Sequence, residues 1–391
     1  MKKIAILGAV LVVCGLVFIS SATETKAARA PLKIGAVIDI TGPASSLGEP
    51  EKLTLEMLVA DLNAKGGVNG RKIELIIYDN EGDEAKSLIK AKKLITEDKV
   101  LAMIGTSQSG TTMSIVPTVM EAQIPLVSCA ASWKIIKDPK TMETRKWIFK
   151  TPQSDSLAVE RIFDYCVKQG WTKVAVITVS NGYGDSGREV LKKMAPDFKI
   201  DVVADERFGQ DDTDMTAQLT KIKGTDAQAV ICWAIQKGPA IVARNFKDLG
   251  MTQQLIMSHG VANRTFIDLA GDAANGIILP SGRLIVADQL PDTDKFKKVL
   301  VDYKTKFETK YNKPISTFGG HAYDAFEILV RALKKSGANP TPAKIRDQIE
   351  KTRGYVGTAG IFNMSPTDHE GLTREAFVMV KIENGKWVLS K

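Results

Sequence analysis

The stretch Leu62–Asn80, "LNAKGGVNGRKIELIIYDN", joins the end of a helix, a Gly-Gly turn and a strand within a short length of chain. The apolar periodicity before it predicts a helix over Glu49–Ala64. The apolar and β-branched run "KIELIIYDN" predicts a strand that begins near Lys72. The stretch is therefore one unit of an alternating α/β fold.

The same alternation continues on both sides of this unit. Strands are predicted by "LKIGAVIDI", "VLAMIG", "PLVSCAA", "KVAVITVS", "IDVVADERF", "AQAVICWA", "QQLIMSHG" and "GIILPS", with amphipathic helices between them. Long helices follow Pro280, and Asn384-Gly385 predicts a closing hairpin. Near-continuous apolar strands separated by helices indicate parallel sheets covered on both faces. Two successive α/β units therefore predict two sheets with a cleft between them.

The amino terminus has the pattern of a secretory signal peptide. Lys2 and Lys3 precede an apolar segment, Ile4–Ile19, which is followed by "SSATETKAARA". The apolar segment is shorter than the roughly 20 residues that span a bilayer as a helix. We expect residues 1–30 to be a cleaved signal peptide, with cleavage after Ala22 or within "KAARA", and the mature protein to be periplasmic. An uncleaved anchor is the alternative.

The charge of the mature chain is mildly basic. Removing the four basic residues and one acid of residues 1–30 from totals of 53 and 45 leaves a net charge of +5. The lysines and arginines are spread over the predicted helices, whereas nucleic-acid binding needs a concentrated basic stripe. We expect no nucleic-acid partner.

The loops after the predicted strands indicate where a ligand binds. In open α/β sheets ligands bind beyond the carboxyl ends of the strands, and here those ends are rich in Ser, Thr, Gly and Ala. Hydroxyl groups follow two neighbouring strands, in "TSQSGTT" (Ser107, Ser109, Thr111 and Thr112) and in "SCAASW" (Ser128 and Ser132). They would converge on one small anion such as a carboxylate. Simple N-capping of the next helix is the alternative.

Motifs for catalysis and cofactors do not fit. "GDSG", Gly184–Gly187, lacks the second glycine of G-x-S-x-G, since Arg188 follows it. No G-x-G-x-x-G follows a strand, and "DHEG", Asp368–Gly371, is interpreted as a polar loop. We expect no catalytic residue, metal ligand or cofactor.

The strand ends, in this order, resemble those of the branched-chain amino-acid-binding proteins, the type I periplasmic solute-binding proteins of ABC transporters. The similarity runs from about Leu32 to the C-terminus and includes "IGAVIDITGP", "LVADLNAKGGVNGRKIELIIYDN", "MIGTSQSGTT", "YGDSG" and "LAGDAANG". It implies an α/β fold of two lobes, each a mostly parallel sheet flanked by helices. The lobes would comprise residues 31–151 with 282–361, and 152–281 with 362–391. Three hinge crossovers would lie near Thr151–Gln153, Leu279–Gly282 and Ile361–Asn363.

The resemblance also implies a ligand site. The serine at the position of Ser109 holds the ligand carboxylate in the family, helped by the hydroxyl and amide at Ser132. The backbone carbonyl at Ala130 takes the α-ammonium. Tyr183 of "YGDSG" is kept, and Phe318 matches an aromatic residue that contacts the side chain of the ligand.

Three positions depart from the family pattern. Leu47 replaces an aromatic residue, Ile235 replaces a tyrosine, and His259 replaces the glutamate that neutralises the ligand ammonium. With an unperturbed pKa near 6.5, a histidine side chain can be either neutral or protonated near pH 7. We therefore expect weaker selection for an α-ammonium, unless another acid nearby replaces the glutamate. Apolar walls are expected from Leu47, Ile235, Phe318 and Trp133.

Cysteines depart from the family as well. Two cysteines that form a disulfide in some relatives are replaced by Gly82 and Gln108. The three cysteines beyond the signal peptide, Cys129, Cys166 and Cys232, are widely spaced, and we expect buried thiols.

The function implied is that of a solute-binding component of an ABC importer. It would bind an amino acid of the branched-chain or hydrophobic type and deliver it, as a monomer, to the membrane permease subunits. The alternatives are the same role for an aromatic or branched carboxylate without an ammonium, a sensory binding protein, and an enzyme. Neighbouring permease and ATPase genes would favour transport over sensing.

Overall fold

The computed structural model describes residues 29–390, which form two separate sheets. The strands of the first sheet are β1 (Leu32–Ile38), β2 (Ile73–Asp79), β3 (Ala102–Gly105), β4 (Leu126–Ser128) and β5 (Ile148–Lys150). Their order is β2-β1-β3-β4-β5, and every neighbouring pair is parallel. The order reverses next to β1, so the loops after β1 and β3 face the same crevice, where ligands of such sheets bind.

The second sheet is larger and has an antiparallel edge. The remaining strands are β6 (Lys173–Val179), β7 (Asp201–Phe208), β8 (Ala229–Trp233), β9 (Gln254–Met257), β10 (Ile278–Ser281), β11 (Tyr355–Val356), β12 (Ile361–Phe362), β13 (Val378–Glu383) and β14 (Lys386–Leu389). The order in the second sheet is β14-β13-β10-β9-β8-β6-β7, while β11 and β12 form a small ribbon. The predicted hairpin joins β13 and β14, where Asn384 and Gly385 both have positive φ.

Helices cover both sheets. They are α1 (Ser45–Ala64), α2 (Glu84–Thr96), α3 (Ser109–Ala122), α4 (Asp155–Lys168), α5 (Gly182–Met194), α6 (Thr216–Lys223), α7 (Gly238–Asp248), α8 (Arg264–Ala270), α9 (Lys297–Tyr311), α10 (Thr317–Lys335) and α11 (Pro342–Glu350). Apolar side chains of α1–α3 and α9–α11 pack on the first sheet, and those of α4–α8 pack on the second. The predicted two-lobed α/β architecture is confirmed.

The turn that the sequence indicated has a definite backbone requirement. Gly66 and Gly67 have φ of +93° and +73°, and a β-carbon on Gly67 would lie 2.0 Å from the carbonyl oxygen of Arg71. Only glycine fits such a close approach without strain. The side chain of Asn63 then exchanges two hydrogen bonds of 2.8 Å with the backbone of Ile73. The end of α1 is thus joined directly to the start of β2.

Helix α1 begins at Ser45, one turn before the predicted Glu49, and includes Pro50. The sequence predicts the last crossover at Ile361–Asn363. Phe362 and Ala376 still belong to the core of the first lobe, whereas Phe377 packs in the core of the second. We therefore propose that this crossover lies at Ala376–Phe377. The intervening chain has little regular structure, so no change of pattern marks the boundary.

Among residues 29–390, no helix is both long and apolar enough to cross a bilayer. The predicted signal peptide lies almost entirely in residues 1–28, outside the described part of the chain. The cysteines Cys129, Cys166 and Cys232 are buried free thiols, as predicted.

Candidate functional site

A small pocket of about 30 Å³ lies between the two lobes, beyond the carboxyl ends of strands from both sheets. This volume holds only about two water molecules, well below the range of about 300–1,000 Å³ that is typical of small-molecule sites, so the closed lobes leave little free space. The pocket is lined by Leu47, Ser107, Gln108, Ser109, Cys129, Ala130, Ala131, Pro152, Tyr183, Ile235, His259, Gly260, Phe318 and His321. The predicted site residues are therefore brought together, with the exception of Ser132.

One wall is formed by the beginning of α3. Ser109 is the first residue of the helix, and its side chain is 1% exposed. The first backbone N–H groups of a helix have no partner within it, and they favour an anion at this end. The backbone N–H of Ser132 donates to Ser109 Oγ over 3.3 Å. Ser109 is thus held at a helix N-terminus with an additional donor beside it.

The other hydroxyls of "TSQSGTT" have different partners. Thr111 and Thr112 both contact the hydroxyl of Thr106, at 2.6 and 2.8 Å, and both donate to the carbonyl oxygen of Gln108. Thr112 also lies 3.2 Å from the hydroxyl of Ser128. These hydroxyls therefore form a buried network behind the pocket. The N-cap residue is Gln108, and its side chain accepts no hydrogen bond from the first backbone N–H groups of the helix, so the capping alternative does not explain this motif.

Ser132 and Trp133 lie outside the pocket lining. The hydroxyl of Ser132 donates to Ser186 Oγ over 2.7 Å, and Ser186 donates to Asp155. Trp133 lines a separate surface cavity next to the pocket, so the expectation that it forms a wall of the site is wrong. Both residues point away because a 3-10 turn begins at Trp133, with Ser132 accepting from the backbone N–H of Lys134.

The opposite wall, from the second lobe, contains His259. Its ring is packed among the rings of Tyr183, Trp233 and Phe377, at centroid distances of 5.7, 5.6 and 5.4 Å. The hydroxyl of Tyr183 lies 3.4 Å from His259 Nδ1. Burial lowers the pKa of His259 from 6.5 to about 3, with smaller contributions from electrostatic interaction with His321 and Lys150. At neutral pH His259 is therefore uncharged.

His321 is a lining residue that the sequence interpretation missed. It lies in α10, one turn after Phe318, so both side chains share a helix face. Burial also lowers its pKa to about 3. The sequence placed this histidine near a helix start, and its spacing from Phe318 was the available signal. Only the packing of α10 against the cleft shows that the two histidines face one pocket.

The pocket has no charged lining group among the residues that the structure describes. Two acids lie directly behind it. Glu51 accepts a hydrogen bond of 2.5 Å from Ser107 Oγ, and Asp39 accepts one of 2.7 Å from Gln108 Nε2. Burial raises the pKa of Asp39 to about 6 and that of Glu51 well above its usual value. Neither acid offers a ligand ammonium a direct counter-charge.

The two lobes contact each other at the outer edge of the pocket. Gln236 Nε2 of the second lobe donates to Gln108 Oε1 of the first over 2.7 Å. A β-carbon on Gly182 would lie 3.1 Å from the backbone nitrogen of Gly110 across the cleft. The structure is therefore closed. A β-carbon on Gly82 would lie 3.1 Å from Gln108 Nε2, which agrees with these two positions being neighbours.

Comparisons with known proteins agree with this architecture. A family model described as "Periplasmic binding protein" matches residues 31–386. The "Leucine-, isoleucine-, valine-, threonine-, and alanine-binding protein" of Pseudomonas aeruginosa is 24% identical over 349 residues, which are 89% of this chain and 88% of that protein.

Solved structures are similar over most of their length. An extracellular ligand-binding receptor from Rhodopseudomonas palustris HaA2 has a TM-score of 0.86 and 28% identity, covering 93% of this chain and 100% of that one. The branched-chain amino acid transporter substrate binding protein LivJ from Streptococcus pneumoniae, in complex with isoleucine, has a TM-score of 0.80 and 25% identity, covering 91% and 97%.

Proposed function

This chain belongs to the periplasmic binding proteins, a family of solute-binding proteins, and we propose that it is the exported solute-binding component of an ABC importer. Its solute would be a small carboxylate that lacks an α-ammonium. It would close around this solute and deliver it to the membrane permease. The relatives whose names refer to branched-chain amino acids and their transport support the role.

The single observation behind the proposed ligand class is the uncharged pocket. Ser109, at the N-terminus of α3, provides a hydroxyl and nearby backbone N–H groups for a carboxylate. His259, where the resemblance implies a glutamate, is neutral because it is buried. An ammonium group would have to leave water without a compensating anion, which is costly in a buried site.

A branched-chain or hydrophobic amino acid is the second candidate. It is favoured by the names of the relatives, including LivJ, whose solved complex contains isoleucine. In this case the counter-charge would have to come from behind the pocket, either from Asp39, which accepts from Gln108, or from Glu51, which would have to ionise when the ligand binds.

Calorimetry can separate these candidates. Leucine and phenylalanine are compared with their deaminated analogues, 4-methylpentanoate and 3-phenylpropanoate. We expect the deaminated acids to bind at least as tightly as the amino acids. Amino acids that bind at least tenfold tighter, a difference of about 1.4 kcal/mol, would refute the ligand class and favour the second candidate.

We also propose that the protein catalyses no reaction. The hydroxyl of Ser186 in "GDSG" donates to the carboxylate of Asp155, and no imidazole is its partner among the described residues. A serine nucleophile needs an adjacent base that can take its proton. Incubation with p-nitrophenyl esters should therefore release no more nitrophenol than a Ser186→Ala variant does.

A further inference from the structure

Two histidines from different lobes line the hinge end of the pocket. His259 follows β9 in the second lobe, and His321 lies on α10 of the first. Their side chains are 7% and 6% exposed, and both line the same cavity. Protonation of one would disfavour protonation of the other, since electrostatic interaction with His321 contributes to the lowered pKa of His259. Closure of the lobes places the two histidines in one pocket.

Each ring has a buried nitrogen without a partner. Within residues 29–390, neither His259 Nε2 nor His321 Nδ1 has a hydrogen-bond partner. Buried polar atoms of this kind are uncommon, because each one loses the hydrogen bonds that it makes in water. Packing of the apolar core does not require two unpaired nitrogen atoms in the lining of one pocket. A ligand atom between the two rings would provide the missing partner.

The histidines and Ser109 lie at different ends of the pocket. The carbonyl oxygen of His321 accepts a hydrogen bond of 2.8 Å from Thr151, in the first crossover. The ring of His259 packs on Phe377, in the last crossover. Ser109, in contrast, also lines the outer recess where Gly182 approaches Gly110. A solute held by its carboxylate at Ser109 would therefore extend toward the histidines.

The chemistry of two neutral imidazoles limits what this end can bind. Each neutral ring has one donor and one acceptor nitrogen. A hydrocarbon end would leave both nitrogens unpaired. A second carboxylate would need a cation, and Lys150, whose charge acts on both histidines, already contacts Glu370 and the carbonyl oxygen of Pro152. An uncharged oxygen, as in a hydroxyl or carbonyl group, fits both rings.

On the basis of the proposed function, we propose that His259 and His321 together bind an uncharged oxygen of the solute, at the end opposite its carboxylate. The preferred solutes are then oxygenated apolar acids. Leu47, Ile235 and Phe318 line the pocket between the two ends and contact the apolar body.

Two pairs of acids test this specificity by calorimetry on the purified protein. In the first pair, 4-oxopentanoate has a carbonyl oxygen where 4-methylpentanoate has a methyl group, so size and charge are matched. In the second pair, 3-(4-hydroxyphenyl)propanoate adds a hydroxyl to 3-phenylpropanoate. We expect the oxygenated acid to bind at least tenfold tighter in at least one pair. Affinities within threefold in both pairs would overturn the inference and leave the proposed carboxylate class intact.

Substitution of the histidines tests whether they cause this preference for an oxygenated acid. His321→Leu should reduce the ratio of affinities within the selective pair to less than threefold. His369→Gln is the matched control, since His369 is buried against Phe149 outside the pocket, and it should keep the wild-type ratio. A ratio that survives in both His321→Leu and His259→Leu would overturn the inference. Failure of all four acids to bind would overturn the proposed function and this inference together. The wild-type comparison does not depend on any variant folding.

Discussion

A single methyl group at Gly182 should impair closure of the lobes without affecting the stability of either lobe. A β-carbon on Gly182 would lie 3.1 Å from the nitrogen and 3.2 Å from the Cα of Gly110, and 3.6 Å from the carbonyl carbon of Ser109. All three atoms belong to the backbone of the opposite lobe, so no side-chain rotation can relieve the contact. Favourable separations between carbon atoms are about 3.5–4.0 Å. The lobes must therefore move apart by a few tenths of an ångström.

The size of the effect follows from the cost of overpacking. Adding a methyl group to a well-packed site typically costs about 1–3 kcal/mol. This cost applies only to the closed form, because the nearest atoms lie across the cleft. We expect Gly182→Ala to weaken ligand binding by about 5- to 150-fold. Gly182→Val, with a larger side chain, should weaken it further.

Calorimetry with the tightest-binding acid measures this loss, and differential scanning fluorimetry without ligand measures stability. Gly224→Ala is the matched control, since its β-carbon would have no contact closer than 3.5 Å and Gly224 is the exposed C-cap of α6. We expect wild-type affinity in Gly224→Ala and a nearly wild-type melting temperature without ligand in both variants. X-ray scattering should show that ligand reduces the radius of gyration less in Gly182→Ala than in wild type. A Gly182→Ala protein with wild-type affinity and wild-type compaction would refute closure through this contact.

Ser109→Ala should weaken carboxylate binding by about 1.5–3 kcal/mol, the contribution of a hydrogen bond to a charged group, and unchanged affinity in calorimetry would remove Ser109 from the site. His259→Glu should shift the affinity ratio of leucine to 4-methylpentanoate at least tenfold toward leucine, because it restores a counter-charge for the ammonium; an unchanged ratio would show that this position does not select the charge. Acid should destabilise wild type more than His321→Asn, since a histidine with a folded-state pKa of about 3 is protonated first in the unfolded chain as the pH falls below 6.5. Urea unfolding at pH 7.5 and 4.5 should show wild type losing about 2.7 kcal/mol more than the variant, and equal losses would contradict the neutral, buried state.

The fold could be predicted because each of its elements is coded locally. Gly66 and Gly67 specify the turn after α1, and Asn384-Gly385 specifies the last hairpin, through backbone conformations that few other residues adopt. The crossover that we propose near Phe377 could not be predicted in this way. The chain before it, from Asn363 onward, is held by long-range contacts such as the stacking of His369 on Phe149, and no local pattern records such contacts.

The site residues could likewise be predicted only in part. Ser109 and His259 were identified because each follows a strand, where the topology places ligands. His321 was missed because it lies within a helix, and periodicity marks its face as buried without showing what lies opposite. Ser132 contacts Ser109 through its backbone N–H but does not line the pocket. Spacing along a loop does not show which way a side chain turns.

The hydrogen bonds of Ser132 explain why the hydroxyl proton of Ser109 remains available for donation to a ligand. Asp155, with a pKa raised by burial to about 6, is mainly ionised at neutral pH and can then only accept hydrogen bonds. Ser186 must therefore donate to Asp155, and the hydroxyl of Ser132 in turn donates to Ser186. Ser132 has only its backbone N–H left for Ser109, whose oxygen accepts it. The hydroxyl proton of Ser109 is then unused within this chain of contacts, as donation to a ligand carboxylate requires. Because Ser186 and Ser132 belong to different lobes, this orientation is complete only when the lobes are closed.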